Sequence, residues 1–275
     1  MKYFAFAKLN LALTITGKRP DNYHELDMVM QRISLADEIV IEKSDGITVR
    51  CDTYLPPANT LTKAAAVFFE LTGIRGGADM HVVKNIPEQA GLGGGSSDGA
   101  TVLTALNGLY GAGLDREQLI ALGQKVGADV PFFMIGGCAR AQGTGEILTP
   151  IENNLNCVYL LAKPAGGVGT KEAYAMYHQR AKQEIDMDSV VRAVQAGDIE
   201  AYSQYAGNSL APAAMQICPD IARIKSELKN AAASLVTGSG SCVFGVYGDK
   251  KTVQDDLERL KNLPFVSFSY LAENR

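Results

Sequence analysis

The chain has no tryptophan, only three histidines and five cysteines in 275 residues. Cys51, Cys138, Cys157, Cys218 and Cys242 are scattered, odd in number and never in CxxC spacing, which argues against a disulfide framework and against a zinc site. Positive charge is not in excess. The 26 Lys and Arg face 30 Asp and Glu, a formal net charge of -4, with no basic patch of the kind a nucleic acid requires. No apolar run is long enough to span a bilayer, and the stretch Phe4-Ala5-Phe6-Ala7-Lys8 lacks the basic leader and cleavage site of an export signal. These absences predict a cytoplasmic protein with no membrane or nucleic-acid partner; a monomer or weak homodimer is the expectation for its assembly, on which the sequence itself carries no signal. What remains, 47% hydrophobic residues over this length, suffices for one large or two moderate domains with a real core.

The feature that stands out is Gly91-Leu92-Gly93-Gly94-Gly95-Ser96-Ser97-Asp98. Such glycine density would weaken any helix or strand, so the backbone there needs unusual dihedrals or close approach by a ligand. Val102, Leu103, Leu106, Leu109 and Tyr110 follow at helical spacing, with Ser96 or Ser97 expected as N-cap. A bare loop entering a helix N-terminus offers free N–H donors and the positive end of the helix dipole, which suits a phosphate. A plain turn before a capped helix is the alternative. The Gly-Lys-Ser/Thr ending of a Walker A loop is missing, and the dinucleotide fingerprint fails because Ser96 stands in its third glycine place.

Elsewhere, Tyr3 to Ile15 alternates as a strand, with Lys8 and Asn10 on one face, either as an exposed strand end or as the wall of a polar site. Gly17 to Asn22 is a turn that leads into Tyr23-His24-Glu25-Leu26. Met28–Leu35, Glu38–Lys43 and Ile47–Asp52 read as three short strands separated by turns, and Met80–Val83 as another. Leu61–Leu71 reads as a helix capped by Asn59 or Thr60, and Asp115 opens a second that stops at Gly127. Asp129 follows among apolar residues. Desolvation and the end of the preceding helix both oppose its charge there, so it needs a cation or a task as proton acceptor, unless it is a turn residue facing water. A hairpin around Gly143-Thr144-Gly145 and the asparagines 153, 154 and 156 close a first domain, 1–153. The second, 154–275, reads as strand 158–162, a Gly-rich loop, a helix bearing Tyr174 and Tyr177, helices over 187–196, 199–205 and 221–232, strand 242–247, helix 251–261 and strand 265–271. That half predicts an antiparallel sheet with helices on one face.

Taken together, Ala7-Lys8-Leu9-Asn10, the Tyr23-His24-Glu25-Leu26 loop, Pro87 to Asp98, Gly127-Ala128-Asp129-Val130-Pro131 and Thr237-Gly238-Ser239-Gly240-Ser241 resemble the GHMP small-molecule kinases, end to end and in order. The resemblance implies an α+β fold of two domains, an N-terminal mixed sheet with helices and a C-terminal antiparallel sheet with helices, with the active site in the cleft between them. It implies ATP with Mg2+, a small-molecule alcohol as acceptor, and Lys8 with Asp129 as the catalytic pair. It assigns Pro87, Ala90, Gly91, Leu92, Gly93, Gly94, Gly95, Ser96 and Ser97 to the phosphates, Asn59 to the adenine pocket, and Ser97 to the metal. Through the Lys8-Asn10 strand and the Tyr23-His24 loop, the resemblance implies an acceptor with a cytidine diphosphate head, contacted by Asn10, Tyr23, His24, Tyr174, Gly238, Ser239 and Gly240, on the route to isoprenoid precursors. The alternatives are a kinase of the same family acting on a simpler alcohol, or a nucleotide sensor without catalysis. Glu88-Gln89 and Asn208-Ser209 depart from the family pattern, and no role is assigned to them.

Overall fold

The computed structural model describes residues 1–21, 23–177 and 184–275. Asn22, in the first predicted turn, lies outside them. The elements in order are β1 (Lys2–Lys18), β2 (His24–Ser44), β3 (Ile47–Cys51), α1 (Thr60–Thr72), β4 (Gly77–Val83), α2 (Gly94–Tyr110), α3 (Arg116–Val126), α4 (Val130–Ile135), β5 (Cys138–Gly143) and β6 (Ile147–Ile151). Then come β7 (Val158–Pro164), α5 (Thr170–Tyr177), α6 (Met187–Ala196), α7 (Ile199–Tyr205), α8 (Ala211–Ile217), α9 (Asp220–Glu227), β8 (Ala233–Val236), β9 (Val243–Tyr247), α10 (Thr252–Lys261) and β10 (Val266–Ala272).

These elements form two compact units, each assembled from three pieces of chain: Met1–Ala7, Leu35–Ile86 and Gly93–Gly136 in the first, Lys8–Ser34, Pro87–Leu92 and Gly137–Arg275 in the second. The expected single boundary after residue 153 is therefore not how the chain divides. The reason is the length of β1 and β2, 17 and 21 residues, which give residues to both units.

In the first unit the later part of β2 pairs antiparallel with β4, from Glu38 opposite Val83 to Ser44 opposite Gly77, and β3 runs parallel to β4. The sheet is mixed, as expected. Ile39, Ile41, Met80 and Val82 are buried, together with Leu61, Phe68, Val102, Leu106 and Phe132 from the helices. Asn59 caps α1, its Oδ1 accepting the Thr62 N–H at 3.0 Å. In α3, Asp115 and Gln118 form a reciprocal capping box that satisfies two orphan donors. One expectation fails here. Residues 28–43 are not two strands but the middle of one, because Asp37, read as a turn residue, is fully buried and spends its carboxylate on backbone N–H groups of another segment.

The second unit holds the early part of β2, paired antiparallel with β5, and the β5–β6 hairpin. It also holds an antiparallel sheet in the order β10-β7-β9-β8. The core on that sheet gathers Leu160, Ala162, Val168, Ala214, Ile221, Ile224, Val243, Val253 and Leu260. The helix expected over 221–232 ends at Glu227, since Asn230 is held by the buried Asp256 through its own N–H at 2.9 Å and its side chain at 3.0 Å. The short α8 and β8 were not foreseen: each spans seven residues or fewer, too little for a periodic pattern to register. Among the described residues no helix is long and apolar enough to cross a membrane.

Candidate active site

The glycine segment is divided between the units, Pro87–Leu92 in the second and Gly93 onward in the first. In the second unit it is laced to the β8–β9 loop. Ser241 N–H donates to Gln89 O at 3.0 Å, Cys242 N–H to Ala90 O at 3.2 Å, and the Thr237 hydroxyl to Gly91 O at 3.3 Å. Gly91 has φ +73°, and a Cβ there would lie 2.1 Å from Thr237 O, so only glycine fits. Gln89 takes φ +50°, the left-handed region, with no such excuse of size.

In the first unit, the expected serine cap does not exist. Gly93, at φ +73°, is the N-cap of α2 and makes no side-chain cap bond. The Ser97 hydroxyl instead donates to Phe6 O at 2.6 Å, which ties α2 to β1 and leaves the N-terminal turn bare. Gly94 and Gly95 have little space for a side chain, since a Cβ would meet Ile86 Cγ2 or Thr60 Oγ1 at 3.1 Å. A bare, uncapped turn whose N–H groups lack side-chain partners fits a phosphate chain. Asn59, expected near adenine, uses its side chain on Thr62 and on Pro56 O at 2.9 Å.

Lys8 and Asn10 are not an exposed strand end: they are 4% and 1% exposed. The Lys8 ammonium donates to Asn10 Oδ1, Asn10 N–H donates to the Thr237 hydroxyl at 3.0 Å, and Lys8 N–H to Leu92 O at 3.0 Å. A buried polar strand is thus joined at once to the glycine segment and to the β8–β9 loop. Asp129 belongs to the first unit and is half-buried. It stands at the N-cap position of α4, a helix the sequence did not announce, and makes no side-chain cap bond, so its carboxylate is not spent on the helix.

Among the residues expected at the acceptor, the His24 and Tyr174 rings stack with centroids 4.7 Å apart and 22° between planes, while Tyr23 is 66% exposed. Ser239 shares a hydrogen bond of 3.1 Å with Thr170 at the start of the Tyr174 helix, which couples the β8–β9 loop to that stack. Asn208, left without a role by sequence, braces the same loop: its amide donates to Val236 O at 2.6 Å and Gly238 O at 2.8 Å. Its isolation in the sequence hid this, because the partners lie about 30 residues away.

Sequence reasoning also missed a buried ionic cluster of Asp37, Lys84 and Asp98. Burial pushes the Asp98 carboxyl up to about 7; Lys84 opposes that shift and Asp37 adds to it. Burial lowers Lys84, but the two carboxylates outweigh it and the net direction is up. The thiols of Cys138 and Cys242 are pushed up to about 12 by burial, which keeps them protonated and unreactive. Among the described residues no three or more His, Cys, Asp or Glu gather to hold a metal.

Residues 59–137 match the family described as GHMP kinases N terminal domain, and residues 190–264 match GHMP kinases C terminal. A relative from Clostridium novyi named 4-diphosphocytidyl-2-C-methyl-D-erythritol kinase is 36% identical over 95% of this chain and 96% of its own. One of the same name from Desulfitobacterium hafniense is 40% identical over 90% of this chain and 87% of its own. Among solved structures, a 4-(cytidine 5'-diphospho)-2C-methyl-D-erythritol kinase superposes with TM-score 0.83 at 31% identity, covering 99% of this chain and 98% of that one. A homoserine kinase from Cytophaga hutchinsonii, at 18% identity and TM-score 0.78, shares the fold. The chain is a small-molecule kinase and belongs to the GHMP kinase family, among the relatives named 4-diphosphocytidyl-2-C-methyl-D-erythritol kinase.

Proposed function

We propose that this kinase phosphorylates the 2-hydroxyl of 4-diphosphocytidyl-2-C-methyl-D-erythritol, in the cytoplasm, as a step toward isoprenoid precursors. The observation that carries the acceptor is the stacked His24–Tyr174 pair, a flat aromatic surface suited to a pyrimidine, on a unit that also buries Lys8 and Asn10. The names of the relatives support the same reading.

ATP, with Mg2+ on its phosphates, supplies the phosphoryl group and the metal's share of charge neutralisation. Among the described residues no three or more His, Cys, Asp or Glu gather to hold the metal, and the Ser97 hydroxyl, which donates to Phe6 O, keeps lone pairs that could meet it beside the phosphates. The opening turn of α2 receives the phosphates on its N–H groups, with Gly94 and Gly95 allowing close approach. Asp129, unspent at its helix start, accepts the proton of the acceptor hydroxyl as that oxygen becomes a nucleophile. Lys8, oriented by Asn10, places a fixed positive charge where negative charge gathers on the transferring oxygens. Asn10 and the loop Gly238-Ser239-Gly240 hold the acceptor, and the protein works as a monomer or weak homodimer.

A coupled assay of ATP turnover with the cytidine-bearing acceptor, mevalonate, homoserine and galactose tests the acceptor. Turnover confined to the first is expected. Preference for any of the other three overturns the assignment while leaving the family intact.

A further inference from the structure

Against the opening turn of α2 sits a charged cluster to which the phosphoryl transfer above gives no task. Asp37 is fully buried; its Oδ1 accepts the N–H groups of Asn85 at 2.6 Å and Ile86 at 2.7 Å, and its other oxygen takes the Lys84 ammonium. Lys84 also donates to Asp98 Oδ2 at 2.7 Å. Asp98 is 1% exposed, and its Oδ1 is buried with no hydrogen-bond partner. Three segments meet there: β2 through Asp37, the exit of β4 through Lys84, and α2 through Asp98.

The cluster is also packed against the helix start. A Cβ on Gly94 would lie 3.6 Å from Asp37 Oδ2 and 3.1 Å from Ile86 Cγ2. Gly94 and Asp98 are four residues apart, one above the other on the same face of α2. A pull on Asp98 therefore fixes the depth of Gly94, and with it the aim of the free N–H groups. Burying three charges costs several kcal/mol per ion before their mutual attraction offsets it, and an apolar trio would fill the space at no worse stability. What an apolar trio cannot supply is directional bonds to three separate segments.

We propose that Asp37, Lys84 and Asp98 form a positioning network that sets the opening turn of α2 for the phosphates of ATP. This rests on the reading that the same turn receives those phosphates. Asp98 touches no ligand; it acts through Lys84 and through the helix that bears it.

The test measures the dissociation constant of a non-hydrolysable ATP analogue, the KM for the cytidine-bearing acceptor, and the melting temperature. Asp98→Ala is expected to weaken the analogue about tenfold, within the coupling seen for residues of one network, and to leave the acceptor KM within about twofold. Asp98→Asn keeps an acceptor for Lys84 and is expected to hold the analogue within about threefold of wild type. If the alanine variant does not fold, Asp98→Ser, polar but too short to reach Lys84, takes its place. Gly95→Ala, which presses Thr60 Oγ1, separates the two readings. Weakened analogue binding in Gly95→Ala with none in Asp98→Ala overturns the positioning role alone. Unchanged binding in both overturns the phosphate reading, and the network's role with it. A parallel rise in analogue Kd and acceptor KM, tracking a lost melting temperature, reduces the cluster to a structural one and also overturns the proposal.

Discussion

Replacing Gly91 with alanine separates two costs that usually travel together. The first is conformational: at φ +73° a Cβ crowds its own carbonyl, worth about 1–2 kcal/mol. The second is particular to this site. The added carbon would stand 2.1 Å from Thr237 O, 3.0 Å from Thr237 C and 3.2 Å from Gly240 O, all of them backbone that cannot rotate away. Relief requires the β8–β9 loop to move by roughly 1 Å, an overpacking cost of about 1–3 kcal/mol, for a sum of about 2–5 kcal/mol. Gly137, in the same unit, supplies the control: its φ is +64° and nothing lies within 4 Å of the point where an alanine methyl would stand, so Gly137→Ala carries the conformational cost alone. At about 2–4 °C per kcal/mol, differential scanning calorimetry should find Gly91→Ala lower in melting temperature than Gly137→Ala by about 2–12 °C. Because that loop also carries Gly238-Ser239-Gly240, the acceptor KM should rise in the first variant only. Equal melting temperatures for the two variants would refute the close approach of the glycine segment to Thr237.

Asp129→Asn should retain ATP affinity while kcat falls by about 10²–10⁴, read by single-turnover kinetics; a loss of only a few-fold would remove Asp129 as the base. Tyr174→Ala should raise the acceptor KM about tenfold, since base–aromatic stacking is worth about 1–3 kcal/mol, with the ATP KM unmoved. Asp98 predicts a pH dependence of stability. Its folded value, about 7, lies above the unfolded one, so the native state holds an extra proton in between; the associated stability is complete below about pH 4 and is lost as pH rises through about 7. Thermal melts of wild type and Asp98→Asn should therefore diverge from pH 4.5 to pH 7, wild type losing ground, and run parallel above about pH 8. A constant gap across that range would contradict the buried, raised carboxyl.

Much of the fold was legible because long periodic segments speak for themselves: helices α6 and α7 fall at the residues their spacing predicts, and the antiparallel second sheet follows its strand signals. The misreadings share one cause, a polar residue whose partner is distant in sequence. Asp37 looked like a turn, yet it serves Lys84, Asn85 and Ile86, more than 45 residues on. Ser97 looked like a helix cap, yet its hydroxyl serves Phe6. Lys8 and Asn10 looked like a strand's wet end, yet Thr237 and Leu92 close over them. The alternation of a strand reports which face a residue shares, and says nothing about what arrives to cover it. Only the family resemblance, which carries the partners along with the motif, could place those residues in a site.

The passage of β1 and β2 through both units has a consequence for how the protein is made. The first unit needs nothing beyond Gly136, so it can assemble while the ribosome is still extending the chain. The second cannot. Residues 8–34 and 87–92 emerge early and can pair with one another, as Lys8 does with Leu92, but their unit is complete only with residues 137–275, so Asn10 waits for Thr237 to be synthesised. No single cut of the chain releases the second unit whole, and contacts of such long sequence separation make that unit the slow step of folding. A nascent chain arrested near residue 140 should thus present a finished first unit and, in residues 8–34, strand segments still without their later partners, a natural client for chaperones that recognise exposed apolar β-segments.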